Sequence, residues 1–312
     1  MKRGILIILV LLGLALAAIY IFIPRHLKIS QVIRIGANKE GLYRKLSNSA
    51  DWSQWWPGNK TPDASGAWEM EGNLYFPSAP RMISIPFTIK KGKQESGAEL
   101  TFLAINPDST LLHLETSIDA SNNPVQRVQS YFRAVKIKNQ FVQILQSLSK
   151  NYSTVISLYH YPIEKKLVVD SNLVFTAVEV KGQPDYQLVY SMAAKLSRYI
   201  SAMKAKETGL PMLNIFTQDS LNYLVKVALP TDRRLPDAGD IHYRWMLGGG
   251  NILITEVKGG PEEIRKAYIE IHNYITDYKR VAPAIPFESL VTNRLEEKDS
   301  SKWVTRIYYP VM

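Results

Sequence analysis

The chain opens on an uninterrupted apolar run and then changes period several times. From Gly4 to Ile23, GILIILVLLGLALAAIYIFI holds 20 residues without a charge, which as a helix at 1.5 Å per residue spans about 30 Å, the thickness of a bilayer core. Tyr20 and Phe22, then Pro24, Arg25, His26 and Lys28, have the makings of an interfacial belt and a helix stop. Ala15-Leu16-Ala17 behind the basic Lys2-Arg3 offers the competing reading of a cleaved signal peptide. The apolar run continues past that point, so the pattern predicts a membrane anchor over residues 1–26, crossing with residues 4–23. The expected localisation is single-pass membrane, with the domains outside the cytoplasm.

Alternation then takes over. LKISQVIRI (Leu27 to Ile35) reads as a strand, and Gly36-Ala37-Asn38 caps a short helix carrying Leu42, Tyr43 and Leu46. After the Trp-rich turn Asp51-Trp52-Ser53-Gln54-Trp55-Trp56-Pro57, strands are predicted near Trp68–Phe76, Arg81–Ile89, Glu99–Ile105 and Leu111–Ile118, divided by KKGKQESG and NPDS. A long helix from about Val125 to Ser149 follows, with Ile137, Phe141, Ile144 and Leu148 on one stripe. Residues 27–150 therefore predict an α+β domain, a curved antiparallel sheet wrapped around its last helix.

The remaining chain, 151–312, repeats itself. Glu179-Val180-Lys181-Gly182-Gln183-Pro184-Asp185 matches Glu256-Val257-Lys258-Gly259-Gly260-Pro261-Glu262. Each copy follows a strand-like run (VFTAVEV, ILITEV) and enters a helix, the first with Leu188, Met192, Leu196, Tyr199 and Met203, the second with Ile264, Tyr268, Ile271, Ile275 and Tyr278. Each helix leads through a Pro-containing loop, Leu210-Pro211 or Ile285-Pro286, to a predicted hairpin. The closing strands end alike, VKVALP and TRIYYP. Two copies at this long a period predict a duplicated βαββ unit within one domain and not a solenoid.

Composition narrows the chemistry. Cysteine is absent, which excludes disulfides, thiolate metal sites and cysteine nucleophiles. The net charge of +10 is uneven: residues 1–150 carry 18 Lys/Arg against 10 Asp/Glu, the rest 20 against 18. That excess suits anionic headgroups or a solvated basic face. No basic recognition helix, zinc finger or interleaved Arg–aromatic run points to nucleic acid. The histidines His26, His113, His160, His242 and His272 are scattered, and no nucleophile elbow, P-loop or HExxH occurs. Gly248-Gly249-Gly250 lacks a following Lys-Ser/Thr and reads as a hairpin turn. The neighbouring pairs Glu262-Glu263 and Glu296-Glu297 do not share a helix face, so they are solvated charges and not an acid/base couple. No metal, cofactor or catalytic residue is expected.

Two resemblances follow from these patterns. The order of elements over 27–150, with DWSQWWP after the first helix, resembles the START-like (SRPBCC, polyketide-cyclase-like) superfamily. That implies a helix-grip fold with an apolar cavity between sheet and long helix. Trp52, Trp55 and Trp56 then either gate that cavity or close the end of the core. The duplicated unit with its closing KWVTRIYYPV resembles the bacterial GyrI-like, or transcription-activator effector-binding, domain. That implies a cleft between the two units for small organic molecules. Two departures stand out: the family's carboxylate in the last strand is Arg306 here, and its aromatic after the second Gly-Pro is Glu262. No helix-turn-helix precedes the domain.

Aligning the strand ends through Pro230 and Pro310 places Lys226 opposite Arg306. If both face the cleft, the two cations favour carboxylates or phosphates. Tyr243, Trp245, Tyr268 and Tyr308 are the aromatics expected near it, each also explicable as core. The expected function is membrane-anchored, non-catalytic binding or sensing of amphipathic or aromatic small molecules. The alternatives are a hydrolase or cyclase, for which Glu179 and Glu256 are the symmetric acid/base candidates, and a scaffold for a protein partner.

Overall fold

The computed structural model describes residues 2–312 apart from Ala64, Asp170, Ser220 and Leu247, with Lys2, Arg3 and Ile5 described by their backbone alone. It divides into two compact units, Met1–Leu158 and Tyr159–Met312, and both are α+β.

The first unit begins with helix α1 (Lys2–Phe22). Among the described residues no helix is long and apolar enough to cross a membrane. This overturns the expected single-pass anchor over residues 4–23, and the extracytoplasmic placement falls with it.

Strand β1 (His26–Ile35) pairs along its whole length with β6 (Ser109–Asp119), from His26↔Asp119 to Ile35↔Thr110. The remaining strands are β2 (Trp68–Met70), β3 (Asn73–Pro77), β4 (Ser84–Lys91) and β5 (Gln94–Asn106). Together they form a six-stranded antiparallel sheet in the order β1-β6-β5-β4-β3-β2. Helix α2 (Lys39–Ser47) starts where Asn38 caps it, its side chain accepting from the amides of Glu40 and Gly41. Helix α3 (Pro124–Tyr152) is capped the same way by Asn123, with Pro124 in the first turn, where its missing N–H costs nothing. The stripe Ile137, Phe141, Ile144 and Leu148 is buried.

Aromatic and polar side chains meet between the sheet and α3. Phe87 and Phe141 meet edge to face at 6.5 Å, and Gln140, fully buried, accepts from Asn73 Nδ2 and Tyr75 OH while donating to the Met70 carbonyl. Trp52, Trp55 and Trp56 are 3%, 1% and 1% exposed and pack with Trp68. Trp52 and Trp56 donate to the carbonyls of Leu46 and Glu69. These rings close the end of the core. Gly58 lies so near that a Cβ on it would sit 2.2 Å from the Glu69 oxygen.

After α4 (Val155–Tyr159), the second unit comprises β7 (Glu164–Leu167), β8 (Ser171–Lys181), α5 (Tyr186–Ala202), β9 (Met212–Thr217), β10 (Asn222–Thr231), β11 (His242–Met246), β12 (Asn251–Lys258), α6 (Pro261–Asp277), β13 (Phe287–Leu290) and β14 (Val304–Val311). Its eight-stranded sheet runs β11-β8-β10-β9-β13-β14-β12-β7. Each repeat thus has one strand more than the expected βαββ, and that extra strand is exchanged. β11, which opens the second repeat, pairs with β8 of the first; β7, which opens the first, pairs with β12 of the second.

The exchange forces curvature. β11 and β12 stand six strand spacings apart in the sheet, roughly 29 Å if it were flat, yet the step from Met246 to Asn251 spans at most about 18 Å. The same holds between β7 and β8. The sheet must therefore curl, and the two crossings hydrogen-bond to each other through the Val168 amide to the Gly250 carbonyl and the Gly249 amide to the Val168 carbonyl. The glycine run at 248–250 is accordingly a crossing between distant strands and not the expected hairpin turn.

Helix α5 buries Val189, Met192, Ala193, Leu196 and Ile200 against Val225, Val227 and Leu229 of β10. The stripe is turned from the expected one, since Met203 is the helix C-cap and is exposed. Helix α6 buries Ile264, Ala267, Ile271, Tyr274 and Ile275.

Candidate functional site

With the helices on one face, strand alternation points the other set of side chains into the curl. On β10, Val225, Val227 and Leu229 go to the helices, so Lys226 and Ala228 go to the open side. On β8, buried Val174 alternates with Leu173 and Phe175. The register sets Lys226 opposite Asn214 of β9 and Ala228 opposite Phe175. These residues line a cavity of about 510 Å³ together with Met212, Phe287, Ile252 and the rim residues Arg244, Trp245 and Met312.

Its chemistry is mostly apolar with a few polar groups. Asn214 is held by donating to the Pro286 carbonyl at 2.8 Å. Phe287 is backed by Tyr308, ring on ring at 4.7 Å and 9°. Arg244 lies over the Phe175 ring at 5.7 Å. Lys226 is half-buried, and among the described residues it has no ion-pair partner. No Asp or Glu side chain among the described residues lines the cavity.

Of the residues singled out in the sequence, Lys226 and Trp245 line this cavity. Tyr243 points the other way, its hydroxyl donating to Asn172 Oδ1 at 2.8 Å and its ring under Arg234. Tyr308 stands behind Phe287. Tyr268 is on α6, on the helix side of the sheet, its ring 6.5 Å from Tyr309. Arg306 does not line the cavity; its guanidinium donates to Glu256 Oε2 at 2.8 Å.

The pairing of Lys226 with Arg306 is corrected by the register. In the first repeat Glu179 stands opposite Leu224, and in the second Glu256 stands opposite Arg306. Arg306 is thus the counterpart of Leu224, and Lys226 the counterpart of Tyr308, a shift of two residues from the alignment through the prolines. Glu179 and Glu256 are both exposed, outside the cavity, and engaged by Gln218 and Arg306. Arg244, Asn214, Phe175 and Phe287 were not singled out in the sequence; only the pairing of β11 with β8, of β9 with β10 and of β13 with β14 could have revealed them.

A second cluster lies on the helix side of the sheet. Burial pushes the Glu288 carboxyl up, opposed by Arg294 and by a hydrogen bond with Tyr268. Burial also pushes the Tyr268 hydroxyl up, reinforced by Glu288. Arg294, itself buried, lies over the rings of Tyr186 and Trp303 at 4.4 and 4.8 Å and donates to Thr305 Oγ1. Among the described residues no group of His, Asp and Glu is arranged to hold a metal ion.

No family model matches the chain, and no curated protein matches it. Solved structures do. The C-terminal domain of EcmrR is 20% identical, with 49% of this chain and 98% of that one covered at a TM-score of 0.39. SAV2435, in a structure bound to tetraphenylphosphonium, is 17% identical, covering 48% and 94% at 0.33. The Zhui aromatase/cyclase from Streptomyces sp. R1128 is 10% identical, covering 40% and 92% at 0.28. The cavity stands on its own geometry, independent of these likenesses.

Proposed function

We propose that the second unit binds small amphipathic or aromatic molecules in the curl of its sheet, without chemically altering them. The observation that carries this is the cavity of about 510 Å³, floored by strand residues and walled by Phe175, Phe287 and Trp245. Small-molecule sites cluster at roughly 300–1,000 Å³ with mainly apolar walls and a few fixed polar groups. The reading as a binder and not a hydrolase rests on where the acids lie: Glu179 and Glu256 are exposed and outside it. On this reading residues 151–312 form an effector-binding domain of the GyrI-like kind, and residues 27–150 a helix-grip domain whose filled interior serves as scaffold.

A thermal-shift screen of the full chain against neutral, anionic and cationic aromatic compounds tests the reading. A ligand at 100 times its dissociation constant stabilises the folded state by about 2.7 kcal/mol. Ala228→Trp, which fills the floor, should abolish any shift that arises there. No compound shifting the wild type, or shifts untouched by Ala228→Trp, would overturn the assignment.

A further inference from the structure

We infer that the cavity selects anionic amphiphiles, ligands with an aromatic or aliphatic body and one acidic group, and that Lys226 is the residue that reads the charge. This rests on the binding reading above and adds the ligand class to it.

The argument starts from what surrounds Lys226. Its side chain leaves β10 on the cavity side, with Asn214 opposite it on one neighbouring strand and Ala177 on the other. Asn214 spends its amide N–H on the Pro286 carbonyl. Neither neighbour can offset the ammonium charge. A half-buried cation without a counter-charge costs solvation energy, which a ligand anion recovers on binding. A ligand cation in the same place adds like-charge repulsion, strengthened because the walls exclude water.

The second cation, Arg244, works in the same direction from the rim. It stands opposite Leu173, four residues along β8 from Ala177. That places its Cα at most roughly 16 Å from that of Lys226, diagonally across two strand spacings. Between them lie Phe175 and Ala228, and the guanidinium rests on the Phe175 face. The apolar body of a ligand would therefore lie on Phe175 and Phe287, its acidic group at Lys226. Arg244 draws anions towards the mouth. Arg306 takes no part, because Glu256 already neutralises it.

The test uses the full-length chain and three probes. The neutral dye N-phenyl-1-naphthylamine reports occupancy by its fluorescence. Tetraphenylborate and tetraphenylphosphonium, near-identical in shape and opposite in charge, compete with it. The expected result is dye binding that Ala228→Trp removes, and displacement by the borate at about tenfold lower concentration than by the phosphonium. Lys226→Met should collapse that preference to about threefold or less, Lys226→Arg should keep it, and Arg306→Gln should leave it unchanged. If the dye binds in the cavity but the phosphonium displaces it as well as the borate does, the charge assignment fails while the binding reading stands. The assignment also fails if Lys226→Met keeps both the dye affinity and the full preference. If no dye binds, both fall.

Discussion

Arg306 and Glu256 face each other across β14 and β12, and the guanidinium donates to the carboxylate at 2.8 Å. The pair is partly exposed, and such pairs are worth about 0.2–1 kcal/mol. Arg306→Ala should therefore lower stability by no more than about 1 kcal/mol in urea unfolding and leave ligand affinity within about twofold. A larger loss of affinity would mean that Arg306 reaches the ligand.

The Glu288 carboxyl titrates above its ordinary 4.5 because of burial. A raised carboxyl binds its proton more tightly in the folded chain, so it stabilises the fold below 4.5 and that contribution is lost as pH rises through the folded value. Glu288→Gln removes the titration. The variant's melting temperature, followed from pH 4 to 8, should fall less than that of the wild type over the lower part of this range. Identical profiles would refute the shift.

Gln140 is the single acceptor for Asn73 Nδ2 and Tyr75 OH and the donor to Met70. Gln140→Leu preserves much of the volume but strands these groups, at about 1–3 kcal/mol for each buried donor left unpaired. The loss should appear in tryptophan-detected unfolding of the first unit, where Trp52, Trp55, Trp56 and Trp68 pack together. A stability change below about 1 kcal/mol would show that the cluster relaxes or admits water.

At Gly58 the added methyl of Gly58→Ala meets the Glu69 carbonyl, which accepts from both Trp56 Nε1 and the Asn59 amide. Relieving that overlap moves two hydrogen bonds, and a cost of about 1–3 kcal/mol is expected in the same unfolding measurement. Unchanged stability would mean the turn yields freely.

Much of this architecture is visible in one dimension. The period of the α3 stripe, the Asn caps and the twice-used EVKG turn mark elements that local physics decides. What escaped is decided by pairing between distant segments. β7 is EKKL, exposed along its whole length, and β11 is HYRWM, on a sheet edge without clean alternation. Neither carries a hydrophobic pattern that would announce a strand. The site suffered for the same reason: Lys226 and Trp245 reach the cavity, but matching prolines instead of paired residues put Arg306 beside them. Arg244 and Phe287 were overlooked because their neighbours are set by register, which a two-residue slip leaves equally plausible in sequence.

The exchange of β7 and β11 also leaves parts of the second unit unpaired until later strands have been made. β8 lacks one neighbour until β11 has been synthesised, and β7 has no partner until β12 has. β12 gains its second neighbour only with β14, which ends at Val311. A nascent chain halted partway would expose open edges instead of a smaller working module, and those edges could be satisfied by a second copy of the same chain. The cavity, which Pro310 and Val311 of β14 help to line, is therefore complete only once the final strand has been made.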